Sequence, residues 1–354
     1  MTEVSTRTAG EPAVDPGNGQ ETPRRDLRET LSLIADRSGA LWTFGVLIII
    51  VLAFVLTTPA YWSKGAWLAT SLSATPILLI AVGQTFVIVS RGVDLSVGAV
   101  LGFSAMVGGW VMTQFGSGTS ATVVIVLGLL AAMAVGLILG LINGIVITKL
   151  EISPLVATLG MLGVASGGTQ LVNGGQELAG FPHQLTELGN KVLLDGWIAL
   201  PVLVAGVVAL LGGVALANTR FGRHTYASGS SPEAARRTGV NVDRHLIKVY
   251  GLSGFMAGLA GFLVMSQLGA ASITAGQGAE LESIVAVVIG GASLFGGRGT
   301  VAGSVIGTFI VAVIETGLVV AKVAAAWQLV AVGAILIAAV YMDRQRLRLA
   351  RHTH

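Results

Sequence analysis

The feature that most limits what this chain can fold into is a set of long apolar runs interrupted by glycine. The clearest case reaches from Glu282 to Ala321. A short run, Ser283 to Phe295, meets a knot, Gly296-Gly297-Arg298-Gly299-Thr300, and a longer apolar run continues from Val301. The first run is too short to cross a bilayer comfortably as a helix, which takes about 20 apolar residues. A backbone broken by glycines is stable at membrane depth only where its freed polar groups are buried in protein or line a watery cavity. The stretch therefore predicts two helices meeting at a break, with the rest of the chain packed around them.

Charged residues make up only 11% of the chain and glycine supplies 49 of 354 residues, against ~25% and ~7% in soluble domains. The expected class is an all-α polytopic membrane protein. The apolar runs place about ten transmembrane helices, at roughly 41–58, 68–90, 94–114, 120–148, 152–173, 197–217, 246–268, 283–296, 300–321 and 326–341. With the N-terminus inside, 18 of the 21 lysines and arginines fall on the inner side, leaving Lys64, Lys191 and Lys322 outside. That asymmetry predicts cytoplasmic N- and C-termini. Residues 1–38 read as a disordered cytoplasmic tail, 39–345 as the transmembrane domain with one sizeable inner loop at 218–245, and 346–354 as a basic tail.

A faint internal repeat relates two halves. Val87 to Gly92 leads into Asp94-Leu95-Ser96-Val97-Gly98, and Val288 to Gly291 leads through Gly297-Arg298-Gly299 into Val301-Ala302-Gly303. Each is an apolar helix, a break with one arginine, then a helix with spaced glycines. Broken segments at matching places point to a translocation path. Gly136, Gly140 and Gly144, Gly254 and Gly258, and Gly303 and Gly307 are spaced for close helix packing.

Several chemistries are excluded. The chain has no cysteine, so it offers no disulfide, thiol or zinc–cysteine site. None of its five lysines follows a glycine, so it has no nucleotide P-loop. The five histidines show no metal-ligand spacing, and no metal, cofactor or catalytic role is expected. The net charge of +3 gives no argument for nucleic acid.

The residues that remain are membrane acids, uncharged polar side chains and the inner loop. Acids inside a membrane carry a functional hypothesis by default. Asp94 suits a helix N-cap, a gate with Arg91, or ion coupling. Glu315 suits pairing with a snorkelling Lys322 or a pathway contact. Glu280 and Glu282, with Gln277, lie at the outer mouth, where they are either solvated or meet a delivery protein. For a hydroxyl-rich cargo the candidates are Gln84, Ser96, Asn143, Thr158, Thr169, Gln170 and Asn173, each of which is equally able to bond a neighbouring helix. In the inner loop, Ser231-Pro232-Glu233 is a helix start and Gly239 a stop, predicting a short surface helix at about 232–238. Its alanines give a small face able to enter a groove, and its arginines are free for acidic groups or lipid phosphates.

Three separated stretches resemble the ribose, xylose and fructose permease family of bacterial ABC importers: Gly92 to Gly98, Gly290 to Gly299, and Glu233-Ala234-Ala235 followed by Gly239-Val240-Asn241-Val242. Thr274 to Gln277 before Glu282-Ser283-Ile284 fits the same pattern. The resemblance covers about residues 40–345. It implies a permease subunit in the membrane lipid that pairs with a second copy or a sister permease. ATP-binding subunits would dock inside, and an extracytoplasmic sugar-binding protein would deliver cargo. Arg223, Tyr226, Glu233, Ala234, Ala235 and Gly239 would then contact the ATPase, while Arg91, Asp94, Gly297 and Arg298 would belong to the gate. Related permeases carry nucleosides, branched amino acids or a signalling furanose, so the cargo stays open. A gradient-driven transporter using Asp94 or Glu315 is the alternative from another class.

Overall fold

The computed structural model describes residues 43–341 except 117, 325, 328, 329, 336 and 339. The expected tails at 1–38 and 346–354 lie outside the described residues. Among the described residues the regular structure is helical apart from one small ribbon. In order come α1 (Thr43–Thr57), α2 (Lys64–Val89), α3 (Val97–Thr113), α4 (Ala121–Lys149), α5 (Pro154–Val172) and α6 (His183–Gly189). Then follow β1 (Val192–Leu193), β2 (Ile198–Ala199), α7 (Leu200–Asn218), α8 (Arg220–Ser230) and α9 (Pro232–Arg237). α10 (Val242–Leu268), α11 (Ala279–Ile289) and α12 (Val301–Val320) complete the series. The antiparallel β1–β2 pair joins Val192 to Ala199 and Leu193 to Ile198, a departure from the all-α expectation.

Among the described residues six helices are long and apolar enough to cross a membrane: α2, α4, α5, α7, α10 and α12. α1 and α3 are shorter apolar helices. The expected span at 283–296 is not a span. Its helix, α11, has 11 residues, roughly 16 Å at 1.5 Å per residue, against a hydrocarbon core of ~30 Å. Gly290 stops it, and the chain turns back into α12. The expected span at 326–341 is described only in part.

Burial separates centre from periphery. The most apolar windows of α2 and α10 are 83% and 78% buried, whereas those of α7 and α5 are 22% and 28%. An apolar helix left exposed over most of its surface is at home in lipid, where its backbone is satisfied internally. The centre is held by glycine contacts. Gly136 and Gly140 of α4 face Gly254 and Gly258 of α10 so closely that a methyl group on any of them would overlap the facing backbone. Gly303 and Gly307 bring α12 against Gly290 and Ala286 of α11 in the same way. The spaced glycines thus serve as packing surfaces, as their periodicity predicts.

Candidate functional site

Two breaks organise the centre. The first runs from Ser90 to Ser96, between α2 and α3, and the second from Gly290 to Thr300, between α11 and α12. Arg91 at the first break has a φ of 68°, unusual for a residue with a side chain, and Gly291, Gly296, Gly297 and Gly299 at the second are all left-handed. These conformations favour glycine and explain the composition of the knot. The breaks touch: the Gly297 amide donates to the Val89 carbonyl over 2.8 Å. The two halves related by the faint repeat therefore meet at their interruptions.

At the α2–α3 break lies a buried polar network. Asp94 is 1% exposed. Its Oδ1 accepts from the Ser96 amide at 3.0 Å and the Ser96 hydroxyl at 2.6 Å, and its Oδ2 accepts from Ser253 Oγ of α10 at 3.0 Å. Asn143 of α4 donates to Ser96 Oγ at 2.9 Å, and Gln84 of α2 donates to the Asp94 carbonyl at 3.3 Å. Three helices and the break are thus tied into one network around the carboxylate, and the hydrogen bonds offset part of the cost of burying it.

These contacts revise several sequence expectations. Asp94 is not the N-cap of α3, which begins at Val97 behind Ser96; it folds back on the residue two positions ahead. Arg91 is exposed, and among the described residues no ion pair joins it to Asp94, so the Arg91–Asp94 gate pair is absent. Glu315 does not pair with the exposed Lys322. It accepts from Ser73 Oγ at 3.5 Å and meets the carboxyl of Glu282. Thr158 and Thr169 donate to the Pro154 and Ala165 carbonyls of their own helix. Gln84, Ser96 and Asn143 belong to the Asp94 network. Of the polar cargo candidates Gln170 is exposed, and Asn173 is half-buried and bonded to the Gln176 and Glu177 carbonyls. Gln277 is exposed, while Glu280 and Glu282 are half-buried, with the Glu280 carboxylate lying against Gly98.

The loop at 218–245 forms two helices before α10. α9 starts where its cap predicts: Ser231 Oγ accepts from the Ala234 amide at 3.3 Å, Pro232 opens the helix, and Gly239, with φ 86°, follows its end. Glu233, Ala234, Arg237 and Gly239 are exposed. Ala235 is 4% exposed and packs into its own chain, so it offers nothing to a partner's groove. Arg236 is not free either, because its guanidinium donates to Asp243 at 2.7 Å. α8 carries Arg223 outward, but Tyr226 points into the protein, where its hydroxyl donates to the Gly299 carbonyl of the second break at 2.7 Å. Sequence reasoning missed Ser253, Gly229 and the inward role of Tyr226. Ser228-Gly229-Ser230 marks a place of close backbone approach only once its neighbours are known.

Comparison with known proteins supplies the context for this arrangement. The family described as "Branched-chain amino acid transport system / permease component" matches residues 67–340. The chain is 37% identical over 282 residues to the autoinducer 2 import system permease protein LsrC of Yersinia pseudotuberculosis serotype O:1b, covering 78% of this chain and 76% of that one. It is 36% identical, with the same coverage, to the protein of that name from Yersinia pestis strain Pestoides F. No solved structure matches. The matched region contains both breaks, the Asp94 network and α9, and the chain accordingly belongs to this family of ABC-importer permeases, as a multi-pass protein of the cytoplasmic membrane.

Proposed function

We propose that this chain is the membrane-spanning subunit through which ATP-binding subunits drive import of a small furanose of the autoinducer-2 type. The observation that carries the reading is α9. It is a capped helix standing outside the long apolar spans, with Glu233, Ala234 and Gly239 exposed. A capped surface helix of this kind suits a groove on a partner. In this reading α8 and α9 face the cytoplasm, as the lysine and arginine asymmetry favours. The ten membrane segments include the short α1 and α3 and the re-entrant α11. An extracytoplasmic binding protein meets the opposite face near Gln277.

A second permease copy, or a sister chain, pairs along α5. Gly160, Gly163 and Gly167 of that helix meet nothing within 4 Å in their own chain, and small residues admit a close helix partner. The furanose cargo is favoured by the names of the relatives. Import of another monosaccharide is the second reading, supported by the resemblance of the two break motifs to sugar permeases. Asp94 speaks against a gradient-driven carrier, because three hydrogen bonds hold it inside the protein.

The test is Glu233→Arg in cells expressing the whole transport system. The chain should reach the membrane at normal level, lose its ATP-binding partner on purification in mild detergent, and lose uptake. Unchanged uptake would remove α9 from the coupling role.

A further inference from the structure

The coupling segment does more than present α9. α8 ends one residue before α9, and the end of α8 is set into both breaks. Gly229 sits where a side chain would overlap the Val89 carbonyl, and its Cβ would come within 2.7 Å of the Gly297 amide nitrogen. Those two groups are the donor and acceptor of the bond that joins the breaks. Tyr226, one turn earlier, holds the Gly299 carbonyl. Ser230 lies against Gly297, with its Cβ 3.2 Å from where a Cβ on residue 297 would be.

On the other side of α9 the chain returns as α10. Thr225 of α8 and His245 of α10 are hydrogen-bonded at 2.9 Å, and Ser253 of α10 reaches Asp94 within the first break. The first break is therefore gripped from both chain directions leaving α9, and the second from the α8 side. The Gly229 contacts are backbone on backbone, and the side chains that complete the joint are held by hydrogen bonds of 2.7–3.0 Å, so the joint is close-packed.

We propose that α8, α9, the start of α10 and the two breaks form one rigid lever, with Gly229 and Tyr226 as positioning residues that carry any displacement of α9 directly to both interruptions. This rests on the coupling reading of α9. Its new content is that the joint between α8 and the breaks does not slide during transport.

The chain has no cysteine of its own, which makes the joint directly testable. Ser230→Cys with Gly297→Cys places two sulfur-bearing carbons 3.2 Å apart, slightly under the ~3.5–4.5 Å separation of a disulfide, so a small outward relaxation lets the bond form. In the full transport complex the oxidised pair should form and uptake should stay within about twofold of the reduced protein. Uptake abolished on oxidation and restored by reductant would overturn the proposal, because it would mean that α8 moves against the break. Failure of the pair to cross-link in a complex that still transports would overturn it too.

Gly229→Val is the complementary wedge, with Gly229→Ala as its milder form. The assembled complex should keep ATP hydrolysis while uptake falls by tenfold or more, roughly what a misplacement of the joint by about 1 Å can cost. Equal loss of both activities would contradict a positioning role, as would no loss of either. The two layers fail separately. If Glu233→Arg leaves uptake intact, the coupling reading falls; if it abolishes uptake and the cross-link does so as well, only the rigid lever falls.

Discussion

Replacing Gly254 with alanine should force α4 and α10 apart at the centre of the bundle. The added carbon would lie 2.9 Å from Gly140 Cα and nearer still to the Gly136 carbonyl oxygen. Non-bonded carbons settle at about 3.5–4.0 Å, so the Gly140 contact alone requires the helices to part by roughly 0.6–1 Å, and the closer carbonyl oxygen by no less. Facing backbones cannot rotate away as a flexible side chain would. The shift loosens the neighbouring contacts at Gly136 and Gly258 as well. Overpacking of this kind costs about 1–3 kcal/mol, a fall in Tm of about 2–6 °C for a chain of this size. Thermal unfolding in mild detergent reads it. Gly206→Ala on α7 is the control, since Gly206 meets nothing within 4 Å and alanine is the better helix former. A Gly254→Ala protein melting with the wild type, or a Gly206→Ala protein falling as far, would refute the packing argument.

Two further outcomes follow from the polar network and the cap. Ser253→Ala removes one donor from the buried Asp94 carboxylate and should cost about 1.5–3 kcal/mol in the same melt, whereas Arg91→Ala should leave Tm within ~1 °C because Arg91 makes no ion pair with Asp94. Equal losses would restore a link between the two. Ser231→Ala removes the α9 cap, worth about 0.5–2 kcal/mol. The amides of residues 233–237 should then exchange with deuterium roughly 2- to 30-fold faster, and unaltered exchange would mean that packing of Ala235 alone holds the helix.

The sequence made some of this legible and hid the rest for physical reasons. Apolar runs report membrane segments directly, so α2, α4, α5, α7, α10 and α12 fall where their hydropathy places them. The cap of α9 is local chemistry, and Ser231, Pro232 and Gly239 announce it. Which faces of α9 are free is a tertiary fact: Ala235 and Arg236 look as available as Ala234 and Arg237 until the chain beyond them returns as α10. The same holds at the breaks. Arg91 and Asp94 are three residues apart, and their proximity suggests a pair. The carboxylate instead turns towards Ser253, 159 residues away. α11 reads as a span from its apolar content, but its length decides the matter against it.

The most direct measurement of the central claim is uptake into proteoliposomes holding this chain with its neighbouring ATP-binding and binding-protein subunits. Labelled autoinducer-2 or monosaccharide would be supplied outside, with ATP inside and no ion gradient. ATP-driven import that withstands a protonophore, and disappears with Glu233→Arg, is the predicted result. Import that ignores ATP and collapses with the protonophore would contradict the account and make the buried acids of the spans its engine.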